Sequence, residues 1–365
     1  MIPLQARSVR GICLLTLAMV LSACQTAGQT TTSESTPPPK PVGPPHISFS
    51  APVAWGGQAR CMPDGCKLVL VEHEAGQVVL HEFKGRSVHE LDRQPVAYHP
   101  DSAKWLTDSW VVAAVERDFH LEFFTVDQAK LVRQHRILVD FPPRDVTVVA
   151  QKNDAFTLLA TPYSGKQIAV VEWKLGEKTA RVTKVDWCDA PWHPASVTRA
   201  PNGRGPGAVV ACLRDKKLLY VDAKNWAGAP SELASFDAVA RQAKPSPTGK
   251  WVYVALETGR RTARVNMDTG EVQYLSSPLT GAVSVAPLSD DLVIWGEADS
   301  LYLHRYDSAG QVQETRWLRA SGFPTELQLM DLDGDGALDL LILNSAGKVA
   351  DVYYGPIWDQ ALEKL

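Results

Sequence analysis

The chain has 365 residues, of which 45% are hydrophobic and 21% charged, with a formal net charge of −4. Interspersed charge of this sign leaves no electrostatic footprint for a nucleic acid, so a nucleic-acid partner is not expected. The composition is too apolar for a disordered chain and the length too great for one ordinary core, which directs attention to internal repeats.

Residues 1–23 read as an address. Arg7 and Arg10 form a basic leader and Ile12 to Leu21 a short apolar stretch, ten residues long where a bilayer span needs about 20. The quartet Leu21-Ser22-Ala23-Cys24 that closes it resembles the bacterial lipobox. That resemblance implies cleavage before Cys24 and a lipidated Cys24, carrying a diacylglycerol thioether and an N-acyl chain that anchor the protein to a membrane. Gln25 is not the Asp that retains enterobacterial lipoproteins in the inner membrane, so the expected location is the cell envelope, at the outer membrane facing the periplasm or the cell surface. Residues 24–46 are rich in Thr, Ser and Pro and lack a periodic apolar pattern, the composition of a disordered tether.

From 47 to 365 the chain repeats itself. Seven units share one plan: a turn, an apolar strand, two to five polar residues and a second strand. They begin at Asp64, Thr107, Asn153, Gly205, Thr248, Asp290 and Asp335, with starts 43, 46, 52, 43, 42 and 45 residues apart. A period of about 40 to 50 residues belongs to the four-stranded blades of a β-propeller, so the expected fold is all-β with seven blades. Residues Trp110 to Glu116 and Trp251 to Glu257, WVVAAVE and WVYVALE, share four of seven residues and one apolar pattern. The last unit lacks an outer strand, and Ile47 to Ser50 is the candidate to supply it from the N-terminal side.

Four cysteines remain in the exported part: Cys61, Cys66, Cys188 and Cys212. An even number in an oxidising compartment suggests disulfides, with three possible connectivities. Cys61 and Cys66 bracket a Met-Pro-Asp-Gly turn that would set them on facing strands, which leaves Cys188 for Cys212. Zinc is the alternative, but no second C-x-x-C or histidine pair accompanies them.

Near the C-terminus, Asp331, Asp333, Asp335 and Asp339 stand at positions 1, 3, 5 and 9 of a D-x-D-x-D-G-x-x-D loop, with Gly336 at its sharp turn. Two carboxylates about 4 Å apart oppose each other by roughly 4 kcal/mol at an effective dielectric near 20, so such crowding points to a hard cation. Calcium suits it, with the side chains of Asp331, Asp333, Asp335 and Asp339 and the backbone carbonyl of Ala337 as the expected ligands. An EF-hand would need a Glu at position 12, where Ile342 stands, and flanking helices. The segment 326–355 resembles the FG-GAP or VCBS repeat, the calcium-binding blade unit of integrin-α-type propellers. An Asp/Gly-rich hairpin turn without metal is the plainer alternative. In a closed ring the disulfide hairpin of the first blade and this loop of the last become neighbours, so a bound calcium is expected to guard closure.

No G-x-S-x-G, H-E-x-x-H, P-loop or dinucleotide fingerprint is present, so no catalytic residue is assigned. His73-Glu74 and His81-Glu82 read as solvated strand faces. The tryptophans, including Trp105, Trp110, Trp187, Trp192, Trp251, Trp295 and Trp317, read as blade packing rather than a binding surface. The expected function is a noncatalytic lipoprotein scaffold with a structural calcium, presenting its loops to an envelope protein or polysaccharide. The alternatives are a periplasmic propeller enzyme of the lyase, lactonase or quinoprotein kind with residues converging on the central channel, and a carbohydrate-binding module. A cluster of His, Asp, Glu and Arg at one mouth of the channel would favour the enzyme.

Overall fold

The computed structural model describes residues 47–50, 56–276, 281–345 and 349–363. The leader 1–23 and the tether 24–46 with Cys24 lie outside them. Seven antiparallel sheets follow one another along the chain, spanning 58–95, 100–138, 143–186, 191–235, 240–276, 284–319 and 324–353, numbered here blades 1 to 7. Their innermost strands are Gln58–Met62, Pro100–Thr107, Pro143–Lys152, Pro191–Val197, Ala240–Pro245, Ser284–Pro287 and Pro324–Met330. Each lies beside the next, and the strand of blade 7 lies beside that of blade 1, so the ring closes around a channel. The chain is a seven-bladed β-propeller.

The repeat is legible in how the strands bury both faces. In blade 1 the second strand, Gly65–Glu72, alternates its side chains between two neighbours: Leu68 and Leu70 pack on blade 7, Val69 and Val71 on blade 2. Strands buried on both sides read as continuous apolar runs. The same division holds around the ring, and each of the seven blade interfaces has its own apolar cluster. Stability is therefore distributed among nearest-neighbour interfaces rather than concentrated in one core. Trp105, Trp192 and Trp295 are buried, as expected of packing residues.

Innermost strands splay from one another, and side chains satisfy backbone groups that no neighbouring strand reaches. Gln58 Oε1 accepts the Trp105 amide at 2.8 Å and Ser102 Oγ that of Val146 at 3.1 Å. Gln242 Oε1 accepts the Val285 amide at 2.9 Å. At the join, Gln328 Oε1 accepts from Ala59 N at 2.9 Å while its Nε2 donates to Gly57 O at 2.7 Å. Four of the innermost strands start on proline, Pro100, Pro143, Pro191 and Pro324, which suits a strand end where an amide would have no partner.

Closure uses the N-terminal strand: Ile47–Ser50 pairs antiparallel with residues 349–352 as the outer strand of blade 7. The C-terminal segment leaves the last blade for its neighbour. Ile357–Gln360 forms one helical turn, and Leu362–Glu363 adds a fifth strand to blade 6 beside Arg316 and Trp317. Among the described residues no helix is long and apolar enough to cross a membrane. Both disulfides form, Cys61–Cys66 and Cys188–Cys212. By loop entropy they contribute about 2 and 3.5 kcal/mol.

Candidate active site at one mouth of the channel

Each innermost strand runs from one face of the ring to the other, so its first residues and the turns after the second strands share one mouth. The hairpins between first and second strands lie on the opposite face. Two register positions at the first mouth carry the chemistry. The second residue of the innermost strand is Asp101 in blade 2, Arg144 in blade 3, Trp192 in blade 4 and Arg241 in blade 5. The residue just after the second strand is His73 in blade 1, Glu116 in blade 2, Tyr163 in blade 3 and Glu257 in blade 5.

Asp101 is fully buried. His73 Nδ1 lies 3.0 Å from Asp101 Oδ1, and Arg144 Nε lies 3.5 Å from the same oxygen. The bond to Asp101 raises the His73 pKa above its ordinary value, outweighing burial. Because Nδ1 is committed to Asp101 and to the Pro100 carbonyl, Nε2 is the nitrogen left for a substrate proton. The His73 and His99 rings lie 4.0 Å apart between centroids, and His99 Nδ1 is 3.6 Å from Glu116 Oε2. Burial, aided by the Asp101 charge, pushes the Glu116 carboxyl above the usual carboxylate range. Burial, together with the His73 charge, pushes His99 down. His99 has a left-handed φ of 60°, and it holds its ring against His73.

Arg144 also stacks 4.1 Å from the Tyr163 ring centroid. Arg144 and Arg241 lie 5.9 and 5.3 Å from the Trp192 centroid, and Arg241 Nη1 is 3.6 Å from Glu257 Oε2. The site thus has an acidic, histidine-bearing side on blades 1 and 2 and a guanidinium side on blades 3 to 5. Deeper in the channel a cavity of about 160 Å³ is lined by Lys104, Asp145, His193, Gln242, Lys244 and Glu326. There His193 Nδ1 lies 3.2 Å from Asp145 Oδ2, while Glu326 accepts from Lys244 Nζ at 2.5 Å and from Gln242 Nε2 at 2.8 Å.

His73 therefore departs from the expectation of a solvated strand face, because the turn after its strand points it at Asp101 across a blade boundary. His81 departs from it too: it is buried within blade 1, and burial lowers its pKa to about 4. Motif reading could not find Asp101, Glu116 or Arg144, since each blade contributes one or two residues. Superposing the seven repeats and asking which register positions carry titratable residues is the signal that would have found them.

The acidic loop lies on the opposite face. One carboxylate oxygen from each of Asp331, Asp333 and Asp335 falls within 4.8 Å of the others. Asp331 also accepts the amides of Gly334 and Gly336 at 2.7 and 2.9 Å, and Asp335 accepts that of Ala337 at 2.8 Å. Asp339 stands outside this group and is fully buried. Its oxygens accept the amides of Leu332 at 2.6 Å, Asp333 at 3.3 Å and Gly355 at 2.6 Å. The hairpin of blade 1 abuts the loop, with both disulfide sulfurs, of Cys61 and Cys66, 3.2 and 3.3 Å from the Asp331 carbonyl oxygen.

No family model and no curated protein matches the sequence. Solved structures do resemble the fold. Virginiamycin B lyase from Staphylococcus aureus is 9% identical with a TM-score of 0.63, over 85% of this chain and 99% of that one. Hydrazine synthase of Kuenenia stuttgartiensis is 12% identical at 0.63, over 86% and 98%. The periplasmic gluconolactonase of Pseudomonas aeruginosa is 15% identical at 0.58, over 75% and 88%. At such identities the likeness establishes the propeller architecture and nothing finer.

Proposed function

We propose that this protein is an acid–base enzyme acting on a small molecule at the mouth formed by blades 1 to 5. The observation that carries this reading is the fully buried Asp101 carboxylate 3.0 Å from His73, with Glu116 beside it. A fully buried aspartate is costly unless paired, here by His73, and perturbed titratable groups of this kind gather at functional sites. The two groups divide the labour. Glu116 is the group placed to take a proton from the substrate or from an attacking water. His73, whose proton Asp101 retains, gives one to the leaving oxygen. Proton removal on one side and donation on the other is the chemistry of elimination and of ester or lactone opening. This favours the enzymatic alternative over the noncatalytic scaffold, and propellers of lyase and lactonase enzymes share the architecture.

The test is a panel of aldonolactones and of uronides prone to β-elimination, followed by proton release and by ultraviolet absorbance. At least one should turn over faster than in buffer, with a loss of about 10²-fold or more in Glu116→Gln. A substrate turned over equally by the native protein, Glu116→Gln and His73→Gln would refute the assignment.

The acidic loop fits a hard divalent cation, because its grouped donors are carboxylate oxygens. We assign calcium a structural role there, held by Asp331, Asp333 and Asp335 with the Ala337 carbonyl. Asp339 shapes the loop through the amides it accepts. Lipid on Cys24 would place the ring in the cell envelope, and the mass of the purified N-terminal peptide tests this.

A further inference from the structure

We infer that the substrate of this mouth carries an anionic group, a carboxylate or a phosphate, that docks against Arg144 and Arg241 beside the exposed ring of Tyr163. The inference rests on the acid–base reading and adds the chemical class of the ligand. Arg144 and Arg241 occupy the same register position two blades apart, with Trp192 at that position in the blade between them. Their side chains are only 14% and 12% exposed, with Arg144 3.5 Å from Asp101 and Arg241 3.6 Å from Glu257. Two guanidinium groups that flank one tryptophan and are partly stripped of water feel each other's charge. Burial lowers the Arg241 pKa, and the Arg144 charge adds to the lowering.

An anion seated on both relieves that repulsion. The planar fork of arginine, oriented by stacking on Tyr163 and Trp192, matches the oxygens of a carboxylate or phosphate. The proton-transfer groups His73, Asp101 and Glu116 adjoin Arg144, whose Nε lies 3.5 Å from Asp101. A substrate held by its anionic end would bring its reacting bond beside them. Binding energy from the remote charge would then position that bond.

The test is titration of the whole mature protein, by calorimetry and by tryptophan fluorescence, with inorganic phosphate, with gluconate and with the neutral polyol glucitol. The expected result is saturable binding of phosphate or gluconate, weakened by added chloride, at least tenfold weaker in Arg241→Gln, with glucitol not bound. The stronger of the two anions identifies the group. An unchanged melting temperature shows Arg241→Gln to be folded, and Arg144→Lys, which keeps the charge but loses the fork, should weaken binding by an intermediate factor.

The inference is overturned if neither anion binds, if glucitol binds as well, or if both variants bind like the native protein. Loss of anion binding with turnover intact removes this inference alone. Anion binding intact while Glu116→Gln turns over like the native protein removes the acid–base reading alone.

Discussion

Arg86 of blade 1 reaches across the join of the ring to Asp333 of blade 7, its Nε 2.9 Å from Oδ2. Its Nη2 lies 3.6 Å from Asp335 Oδ2, and its guanidinium lies 5.0 Å from the centroid of Tyr354. The acidic loop thus has a protein-borne cation at its rim, contributed by the blade that covalent continuity does not supply. Arginine and a divalent ion compete for the same carboxylates. Arg86→Ala should therefore tighten calcium binding several-fold while lowering the melting temperature in EDTA, read by calorimetric titration and by thermal melts. Weaker calcium binding in the variant would show that Arg86 supports the ion.

Asp339 is predicted to matter more for stability than its neighbours. It is fully buried and holds three backbone amides that would otherwise be unsatisfied, whereas Asp335 is exposed. An unsatisfied buried donor costs about 1–3 kcal/mol, so Asp339→Ala should destabilise by about 3 kcal/mol or more in metal-free buffer. Asp335→Asn should leave metal-free stability nearly unchanged and reduce calcium affinity. Urea unfolding in EDTA separates the two, and equal losses would contradict this division of roles.

The His73–Asp101 pair makes stability depend on pH in a fixed direction. The folded-state pKa of His73 is raised above 6.5. Its stabilising contribution is therefore complete below the unfolded value and is lost as pH rises through the folded one. The stability advantage of the native protein over His73→Gln should shrink as pH rises above about 6.5, measured by chemical denaturation. An advantage that grows with pH would mean that Asp101 is not its partner.

The ring was legible in the sequence because blade packing leaves a strong mark. A second strand buried on both faces, such as Trp110–Val115 or Trp251–Leu256, is an unbroken apolar run, and seven such runs at nearly even spacing admit few other folds. Turn chemistry marked the hairpin of Cys61 and Cys66, and the missing strand of the last unit pointed to Ile47–Ser50. The fifth strand of blade 6 left no such mark, because two residues, Leu362 and Glu363, carry no period. The mouth cluster was hidden for a different reason. Asp101 and His73 are 28 positions apart and Arg241 is further still, each an ordinary charged residue locally, and only ring closure converts their shared register into proximity.

The most direct measurement is the pH dependence of kcat/KM on whichever substrate is turned over, for the native protein and for His73→Gln and Glu116→Gln. A bell is expected for the native protein. Its acid limb belongs to Glu116, raised by burial, and its alkaline limb to His73, raised by Asp101. The alkaline limb should vanish in His73→Gln and the acid limb in Glu116→Gln, each with a large loss of rate. A profile that keeps both limbs in both variants would place the chemistry elsewhere on the ring.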